Sequence, residues 1–307
     1  MLNIFFIIAP LFLIIFGAAT AQRFKNFPEE WTKVLNSLAL NIGLPALIFT
    51  SLTKDTFNFN QNSELILANS AFILSILFIT YIFGKILKLE TKTLKTLFIC
   101  IAFSNIGFLG IPILYQLKGE SVLPVLSMIL GIYVFWIFTA GVGYLEYHNN
   151  TRKRDILKKV AIKLCKNQLL ITVILSITLS IFQIKIPEMI KTAASMITAS
   201  VTPVVLVVIG LFIGKSKIGK IKEWLPVGIF SLETLMALPA FFYFGLILFQ
   251  ISPANFSTSI IEAAMPLAIT PFALADEYNL HKEFIARSIV ISTILSVFTL
   301  PFWISLF

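Results

Sequence analysis

The sequence predicts an all-helical integral membrane protein, and three observations lead to that fold class. Only 13% of its 307 residues are charged, about half of the roughly 25% that is typical of soluble domains. The apolar set AVILMFWYC makes up 58% of the chain, and the mean hydropathy is +0.92. Nine stretches without a charged residue reach the roughly 18 residues that a helix needs to cross a bilayer. This composition excludes a soluble globule, a disordered chain and, with two cysteines, a disulfide-rich secreted scaffold.

Ten transmembrane helices follow from these stretches. The charge-free window 234–261 contains Gln250, Ser252 and Pro253, which are typical of a turn, so this window belongs to two helices. We expect the first span to be retained, because no Lys or Arg precedes it and its apolar run exceeds that of a signal peptide. In chain order, the predicted spans cover residues 1–22, 34–53, 65–84, 96–117, 121–145, 167–184, 192–214, 225–249, 256–275 and 288–307.

Lysine and arginine are divided unevenly between the loops, and this asymmetry predicts the orientation. With the N-terminus outside, the five inner loops carry 20 of the 24 basic residues, and the outer loops carry Lys54, Lys118, Lys185 and Lys191. Both termini then lie outside, with the chain integral to the inner (plasma) membrane and surrounded by the lipid bilayer. The net charge of +9 is thus a topology signal, and no nucleic-acid partner is expected.

The longest polar segment divides the chain near its middle. We expect an N-terminal five-helix repeat over 1–147, a basic cytoplasmic linker over 148–166 and a C-terminal five-helix repeat over 167–307. An odd number of spans per repeat requires the second copy to enter the membrane inverted, as in many secondary transporters. Apolar residues at helical spacing in the linker indicate either a basic helix on the inner membrane surface or a solvated connection.

Proline and glycine mark interruptions in the second and fourth span of each repeat. In lipid, the backbone groups that a break frees need protein or a water-filled cavity as a partner. Paired breaks in the fourth and ninth spans therefore predict a substrate site near the midplane, although a simple proline kink is the alternative for each. The break residues are Pro45 in the second span; Ser104, Asn105, Gly107, Gly110 and Pro112 in the fourth; Pro203 in the seventh; and Pro266, Thr270 and Pro271 in the ninth.

The predicted breaks favour an anionic substrate. A half-helix N-terminus presents free N–H groups and about half a positive charge, which suits a carboxylate. Asn105 offers an amide, whereas Ser104 and Thr270 offer hydroxyls, and Gly107 lies beside them. Asn41 lies one turn before Pro45, where the alternatives are a substrate contact and packing between helices.

Two glutamates lie within predicted spans. Glu233 belongs to the eighth span, and Glu262 lies one turn before Pro266 in the ninth. An ionisable side chain at such depth is a candidate for carrying a coupling proton, and a structural partner is the alternative. The sequence contains no enzyme, metal-site or nucleotide-binding motif, so we expect no catalytic residue, metal or cofactor.

Four segments in register resemble the auxin efflux carrier family: Asn41–Phe49, Ser104–Pro112, Thr202–Gly210 and Ala263–Asn279. The resemblance implies ten helices in two inverted repeats, with broken helices 4 and 9 crossing near the midplane. It also implies that Asn105 contacts the substrate, and that the prolines of these two helices shape the crossover. Helices 1, 2, 6 and 7 would form a scaffold, often dimeric, while the others move in an elevator-like cycle. The absence of the long central loop of plant members makes the chain similar to the short, bacterial-type members.

The predicted function is a secondary active transporter, or permease. It would move a small organic anion, such as a mono- or dicarboxylate, by alternating access, as members of that family do. A homodimer and a coupling proton or Na⁺ are further expected partners. The alternatives are a Na⁺/H⁺-type exchanger of similar architecture, a non-transporting membrane receptor for an organic anion and, third, a membrane enzyme.

Overall fold

The computed structural model describes residues 2–54, 59–149, 152–216 and 223–307. Within these ranges the chain is helical, with short connections and no strand. Lys217, Lys220 and Lys222, which the charge count includes, lie outside the described residues. The helices are α1 Leu2–Lys25, α2 Glu29–Leu38, α3 Leu44–Leu52, α4 Phe59–Ile86, α5 Thr91–Ala102, α6 Ile111–Lys118, α7 Leu123–Trp136, α8 Val142–Tyr147, α9 Lys153–Cys165, α10 Gln168–Ile181, α11 Glu188–Lys215, α12 Trp224–Leu232, α13 Leu238–Leu248, α14 Ser257–Ala263, α15 Thr270–Leu274 and α16 Lys282–Ile304.

Seven helical segments of the described chain are long and apolar enough to cross a bilayer, so the all-helical, multi-pass architecture is confirmed. Helices α9 and α10 form a pair bent by 65°, which would supply an eighth span. The predicted fourth and ninth spans are each divided by a break, so neither forms one long helix, and the count of ten stays a prediction. The seven segments are Asn3–Lys25, Glu29–Leu52, Asn62–Ile86, Glu120–Tyr147, Glu188–Lys215, Trp224–Leu248 and Lys282–Ile304.

Wide π-helical turns explain how some spans contain proline and still continue. Proline lacks an N–H, and its ring clashes with the carbonyl four residues earlier. Three turns, Ala39–Gly43, Ile106–Gly110 and Glu233–Ala237, end two residues before a proline, and the extra residue in each turn moves that carbonyl aside. At Pro45 the second span is therefore widened rather than cut.

The predicted interruption at Pro203 is wrong. Helix α11 runs from Glu188 to Lys215 without a break, and Pro203 is exposed on its surface. The reason is the packing of α11 along the length of α1. A Cβ atom on Gly210 would come within 2.3 Å of the Ile15 carbonyl oxygen, and one on Gly214 within 2.4 Å of the Ala19 carbonyl oxygen. This close contact between small residues packs α11 tightly against its neighbour.

The helices pack in two groups. Helices α1, α3, α10 and α11 pack on one another, and these belong to the predicted spans 1, 2, 6 and 7. Helices α4, α5 and α7 form one part of the second group, and α12, α13, α14 and α16 form the other. The two groups meet where α7 packs against α3 and α10, where α1 packs against α6 and α16, and where α11 packs against the π turn Ile106–Gly110. Both broken segments belong to the second group. The crossing of these segments therefore lies beside the boundary between the two groups.

Polar contacts show which connections share an end of the molecule. The contacts at one end join segments of the predicted inner loops, and those at the other end join segments of the predicted outer loops. Exposed ion pairs contribute little stability, about 0–1 kcal/mol each, so their value here is to show proximity. The distances are 2.9 Å for Lys215–Glu29, 2.6 Å for Arg287–Glu223 and 2.6 Å for Lys163–Glu277 at the first end, and 3.0 Å for Lys54–Glu120 and 2.8 Å for Lys118–Ser257 at the second.

The central linker folds in part as helix α9, which is fastened to the membrane helices through Glu146. The Glu146 carboxylate is 3% exposed and accepts hydrogen bonds from Lys159 Nζ at 2.9 Å and Tyr278 Oη at 2.8 Å. Burial, together with the bond to Glu146, raises the pKa of Tyr278, so this phenol remains a neutral donor. Lys163 contacts the same phenol. Helix α9 thus joins the end of α8 to the segment that follows α15.

Candidate functional site

The two broken segments cross and pair through their backbones. The Asn105 N–H donates to the Pro266 carbonyl at 2.8 Å, and the Ala268 N–H donates to the Phe103 carbonyl at 2.9 Å. Ser104 and Leu267 form an antiparallel bridge between these bonds. Each break therefore supplies the hydrogen-bond partners that the other has lost, which is what backbone polar groups require within a membrane.

Two hydroxyl groups complete this backbone pairing. Ser104 Oγ lies 2.8 Å from the Glu262 carbonyl and 3.1 Å from the Met265 carbonyl, both at the end of α14. From α16, Ser292 Oγ accepts the Leu267 N–H at 3.1 Å. The Ser104 hydroxyl is thus already engaged as a donor, and only its oxygen lone pairs remain for a ligand.

Asn105 differs from its neighbours because its side-chain amide is free. Its backbone carbonyl accepts from Leu109 N–H at 3.2 Å and Gly110 N–H at 3.0 Å, which begins the helical segment Ile106–Lys118. Its side chain takes no part in this cap and is 4% exposed. Nδ2 has no hydrogen-bond partner in the described parts of the chain. A buried amide donor without a partner is costly, so it is poised for a ligand or water.

A cavity of about 290 Å³ lies beside the crossing. All five residues that were predicted to bind substrate line it, although their role in binding stays a prediction. The cavity lies between α2, the fourth-span break, α7, the start of α10 and the ninth-span break. The five predicted residues in its wall are Asn41, Ser104, Asn105, Gly107 and Thr270, and the polar residues that sequence reasoning missed are Asn36, Tyr133, Lys166, Asn167 and Gln168.

The cavity has a positive electrostatic character. Among the described residues, Lys166 is the one charged residue in the lining, and none of them contributes a carboxylate to the wall. Helix α10 begins beside Lys166, with Asn167 Oδ1 accepting the Leu170 N–H at 3.1 Å, so the positive end of this helix dipole also lies at the wall. The N-terminus of Ile106–Lys118 is a second helix end there. These features together favour a negatively charged ligand.

Four other predicted break residues lie at or beside the crossing and do not line the cavity. Pro266 lies in the ninth-span break itself and accepts the bond from Asn105. Pro112 and Pro271 occupy the first turns of α6 and α15, where a missing N–H is tolerated. Gly110 ends the π turn and contacts Glu262.

The structure separates the two candidate proton carriers. Glu262 is fully buried on α14, next to the crossing, and does not line the cavity. Glu233 is exposed on the surface of the helix bundle, on the same side of its helix as Ile229 and Leu232. Among the described residues, no group of three or more His, Cys, Asp or Glu side chains could hold a metal ion.

Comparison with known proteins gives the family. The sequence matches the family described as "Membrane transport protein" over residues 3–304. The chain belongs to this family. Over 95% of both chains, it is 28% identical to an uncharacterized transporter of Methanocaldococcus jannaschii. It is 22% identical to the uncharacterized transporter YfdV of Escherichia coli strain K12, over 96% of this chain and 95% of the relative. A Rhizobium meliloti protein named "Putative malonate transporter" is 19% identical, over 95% of this chain and 92% of the relative.

Membership in the family confirms the resemblance to auxin efflux carriers. The protein is therefore a multi-pass membrane transporter, in agreement with its apolar helices and with the names of its relatives.

Proposed function

We propose that this protein is a secondary active transporter for small organic anions, with the crossing cavity as its binding site. The observation that carries the proposal is the chemistry of the cavity wall. The wall combines the free amide of Asn105 with the positive charge of Lys166, and no described residue adds a carboxylate to it. A carboxylate ligand would accept from the amide and be attracted by the lysine and by the two helix N-termini.

The substrate class is a mono- or dicarboxylate of a few carbon atoms. A volume of about 290 Å³ lies at the low end of the roughly 300–1,000 Å³ of ligand pockets, which suits a small acid better than a large lipid or peptide. The name of the Rhizobium meliloti relative supports the choice of malonate as a first probe. In this proposal Asn105 binds one carboxylate directly, Thr270 and Asn41 add polar contacts, and Lys166 attracts the anion from the cavity mouth.

The proposed architecture has ten spans in two inverted repeats, 1–147 and 167–307, joined by the linker 148–166. The two breaks support this arrangement, since they fall in the fourth and ninth spans and cross each other. Both termini lie outside, in an inner or plasma membrane, because the predicted inner loops carry most of the lysine and arginine. With this topology, Asn36 and Lys166 of the cavity wall lie at the inner ends of their spans, which supports a conformation that is open toward the inside.

Alternating access then follows from the division of the helices. The group that contains both breaks moves in an elevator-like cycle against the group formed by α1, α3, α10 and α11, which also provides the surface for a homodimer. The cavity has walls from both groups, because Asn41 and Gln168 belong to one and Asn105 and Thr270 to the other. Relative motion of the groups would therefore open the site and change its exposure.

The test is uptake by proteoliposomes of a panel of radiolabelled mono- and dicarboxylates, under imposed voltage and pH gradients. The proposal predicts saturable uptake of at least one acid, with competition by unlabelled acid. Binding of an acid without flux would favour the receptor alternative. Exchange of Na⁺ for protons without any acid flux would favour the exchanger.

A further inference from the structure

The carboxyl group of Glu262 is the most isolated ionisable group beside the crossing. The residue is 0% exposed, and neither Oε1 nor Oε2 has a hydrogen-bond partner in the part of the chain that the structure describes. Ser104 bonds to the backbone carbonyl of Glu262 and not to its side chain. The carboxyl group of Glu262 therefore takes no part in the hydrogen bonds that hold the crossing together.

Gly110 determines the space around this carboxyl group. A Cβ atom on Gly110 would lie 2.2 Å from Oε2 and 2.6 Å from Oε1 of Glu262. The carboxyl group thus fills the room that a methyl group would occupy, against the π turn of the other broken segment. No space remains on that side for a metal ion with its shell of oxygen ligands, whereas a proton needs none.

Lys118, at the end of α6, donates to Ser257 Oγ at 2.8 Å and to Thr258 Oγ1 at 3.2 Å at the start of α14, and in the described chain no lysine or arginine forms an ion pair with Glu262. Helix α7 brings Tyr133, whose buried hydroxyl is near enough for an electrostatic interaction with the carboxylate. Helix α16 faces the core with hydroxyls such as Ser292, and its Lys282, Glu283 and Arg287 lie in its first turns, in ion pairs at the end of the molecule. The π turn and the turn Pro253–Phe256 carry no ionisable side chain, and Tyr243 of α13 packs against Phe244 and Phe307.

An ionised carboxylate without partners in such surroundings is very unfavourable, and binding a proton neutralises it. We propose that Glu262 is the proton-binding site of this transporter, occupied while the two broken segments are packed as they are here. The inference rests on the proposed function, because a coupling proton requires a carrier. In each cycle the carboxyl group gains a proton on one side of the membrane, which forms an O–H bond, and releases the proton on the other side, which breaks that bond. No other bond forms or breaks. Tyr133 lines the cavity and belongs to α7, which packs against α14, so in this proposal its hydroxyl is the candidate relay between water and Glu262.

Infrared spectroscopy of the protein in membranes tests the site without any need for transport. A protonated carboxylic acid has a C=O stretch distinct from that of a carboxylate. We expect this band to persist in the unmodified protein at neutral pH and to be lost in Glu262→Gln. Glu233→Gln is the matched control, since it removes an exposed carboxyl group from another span, and it should leave the Glu262 band in place. A band that is unchanged in Glu262→Gln would overturn the proposal.

Proteoliposomes loaded with radiolabelled malonate then test the coupling. Glu262→Gln keeps the shape and neutral charge of the protonated side chain. We expect it to exchange malonate across the membrane at the original rate, while its accumulation under a pH gradient falls to the level found without a gradient. Glu233→Gln should accumulate malonate as the unmodified protein does. Gradient-driven accumulation that is unchanged in Glu262→Gln would overturn the assignment.

A second variant guards against a trivial folding effect. Gly110→Ala leaves Glu262 in the sequence but places a methyl group where its carboxyl group lies, so it should weaken gradient-driven uptake more than malonate exchange. Transport of malonate that ignores the pH gradient in the unmodified protein would refute the coupling and leave the proposed function standing. Failure of every acid in the panel would instead refute the proposed function, and the infrared band would still decide whether Glu262 holds a proton.

Discussion

The two broken segments form one crossing, yet they contribute different chemistry to it. The first segment gives the cavity a run of residues from Phe103 to Phe108, including the free amide of Asn105. The second gives the cavity only Ala268, Ile269 and Thr270, and it carries a buried carboxyl group next to the π turn of the first. Similar proline and glycine patterns in the two segments thus place different chemistry at the crossing, and we propose that one segment faces the ligand and the other binds the proton.

The largest effect is expected from Asn105→Ala, which removes the ligand-facing chemistry of the first segment. A hydrogen bond to a charged group contributes about 1.5–3 kcal/mol, so kcat/KM for the transported acid should fall about 10- to 100-fold. Initial uptake rates at equal protein content measure this change. Asn149→Ala, at an exposed turn, is the control and should leave uptake unchanged. Normal kinetics for Asn105→Ala would remove this residue from the site.

A smaller change is expected from Lys166→Glu, which reverses the one charge of the cavity wall. The variant should raise KM about tenfold with little change in maximal rate, because two opposite charges about 6 Å apart attract by about 0.7 kcal/mol in water and charge reversal therefore costs about 1.4 kcal/mol. High salt should reduce the effect. Lys158→Glu, exposed on α9, tests whether general surface charge is responsible, and a matching rise in its KM would contradict the role of Lys166.

Ser104→Ala tests the link between the two segments. Removing the hydroxyl leaves the Glu262 and Met265 carbonyls without this donor, so the protein should lose about 1–3 kcal/mol of stability. Ser292→Ala, which removes the acceptor of the Leu267 N–H, should cost a similar amount. Unfolding in detergent by denaturant measures both changes. Stability that is unaffected in both variants would mean that the backbone pairing alone holds the crossing.

The smallest effect is expected from Thr270→Val, which keeps the side-chain shape but removes the hydroxyl that the second segment offers the cavity. A neutral hydrogen bond contributes about 0.5–1.5 kcal/mol, so KM should rise by about two- to tenfold. Concentration-dependent uptake measures this. A loss as large as that of Asn105→Ala would show that the two segments bind the substrate equally.

The sequence was sufficient to predict the helical class, the positions of the two breaks and five of the residues that line the cavity. Those features depend on local rules for proline, glycine and charge, which act within a few residues. The sequence did not reveal that Lys166 lines the cavity, because a lysine at the end of a basic linker is also explained by topology. The sequence also predicted an interruption at both Pro45 and Pro203. In the structure a π turn accommodates Pro45, whereas packing against α1 keeps Pro203 within a continuous helix. Such outcomes depend on neighbours distant in the sequence.

The exposed position of Glu233 could not be predicted either. A glutamate within an apolar span has the same local pattern whether it points to the core or outward, and only the packing of the helix decides. Glu262 became informative for the converse reason, since its contact with Gly110 joins residues from the two broken segments. The comparison of these two glutamates is therefore a product of the tertiary structure.

The most direct test of the central claim is a structure determined with the transported acid bound. We expect the acid in the cavity beside the crossing, with a carboxylate oxygen within hydrogen-bond distance of Asn105 Nδ2 and with Glu262 outside its contacts. An acid bound at another place in the protein, with this cavity empty, would contradict the account.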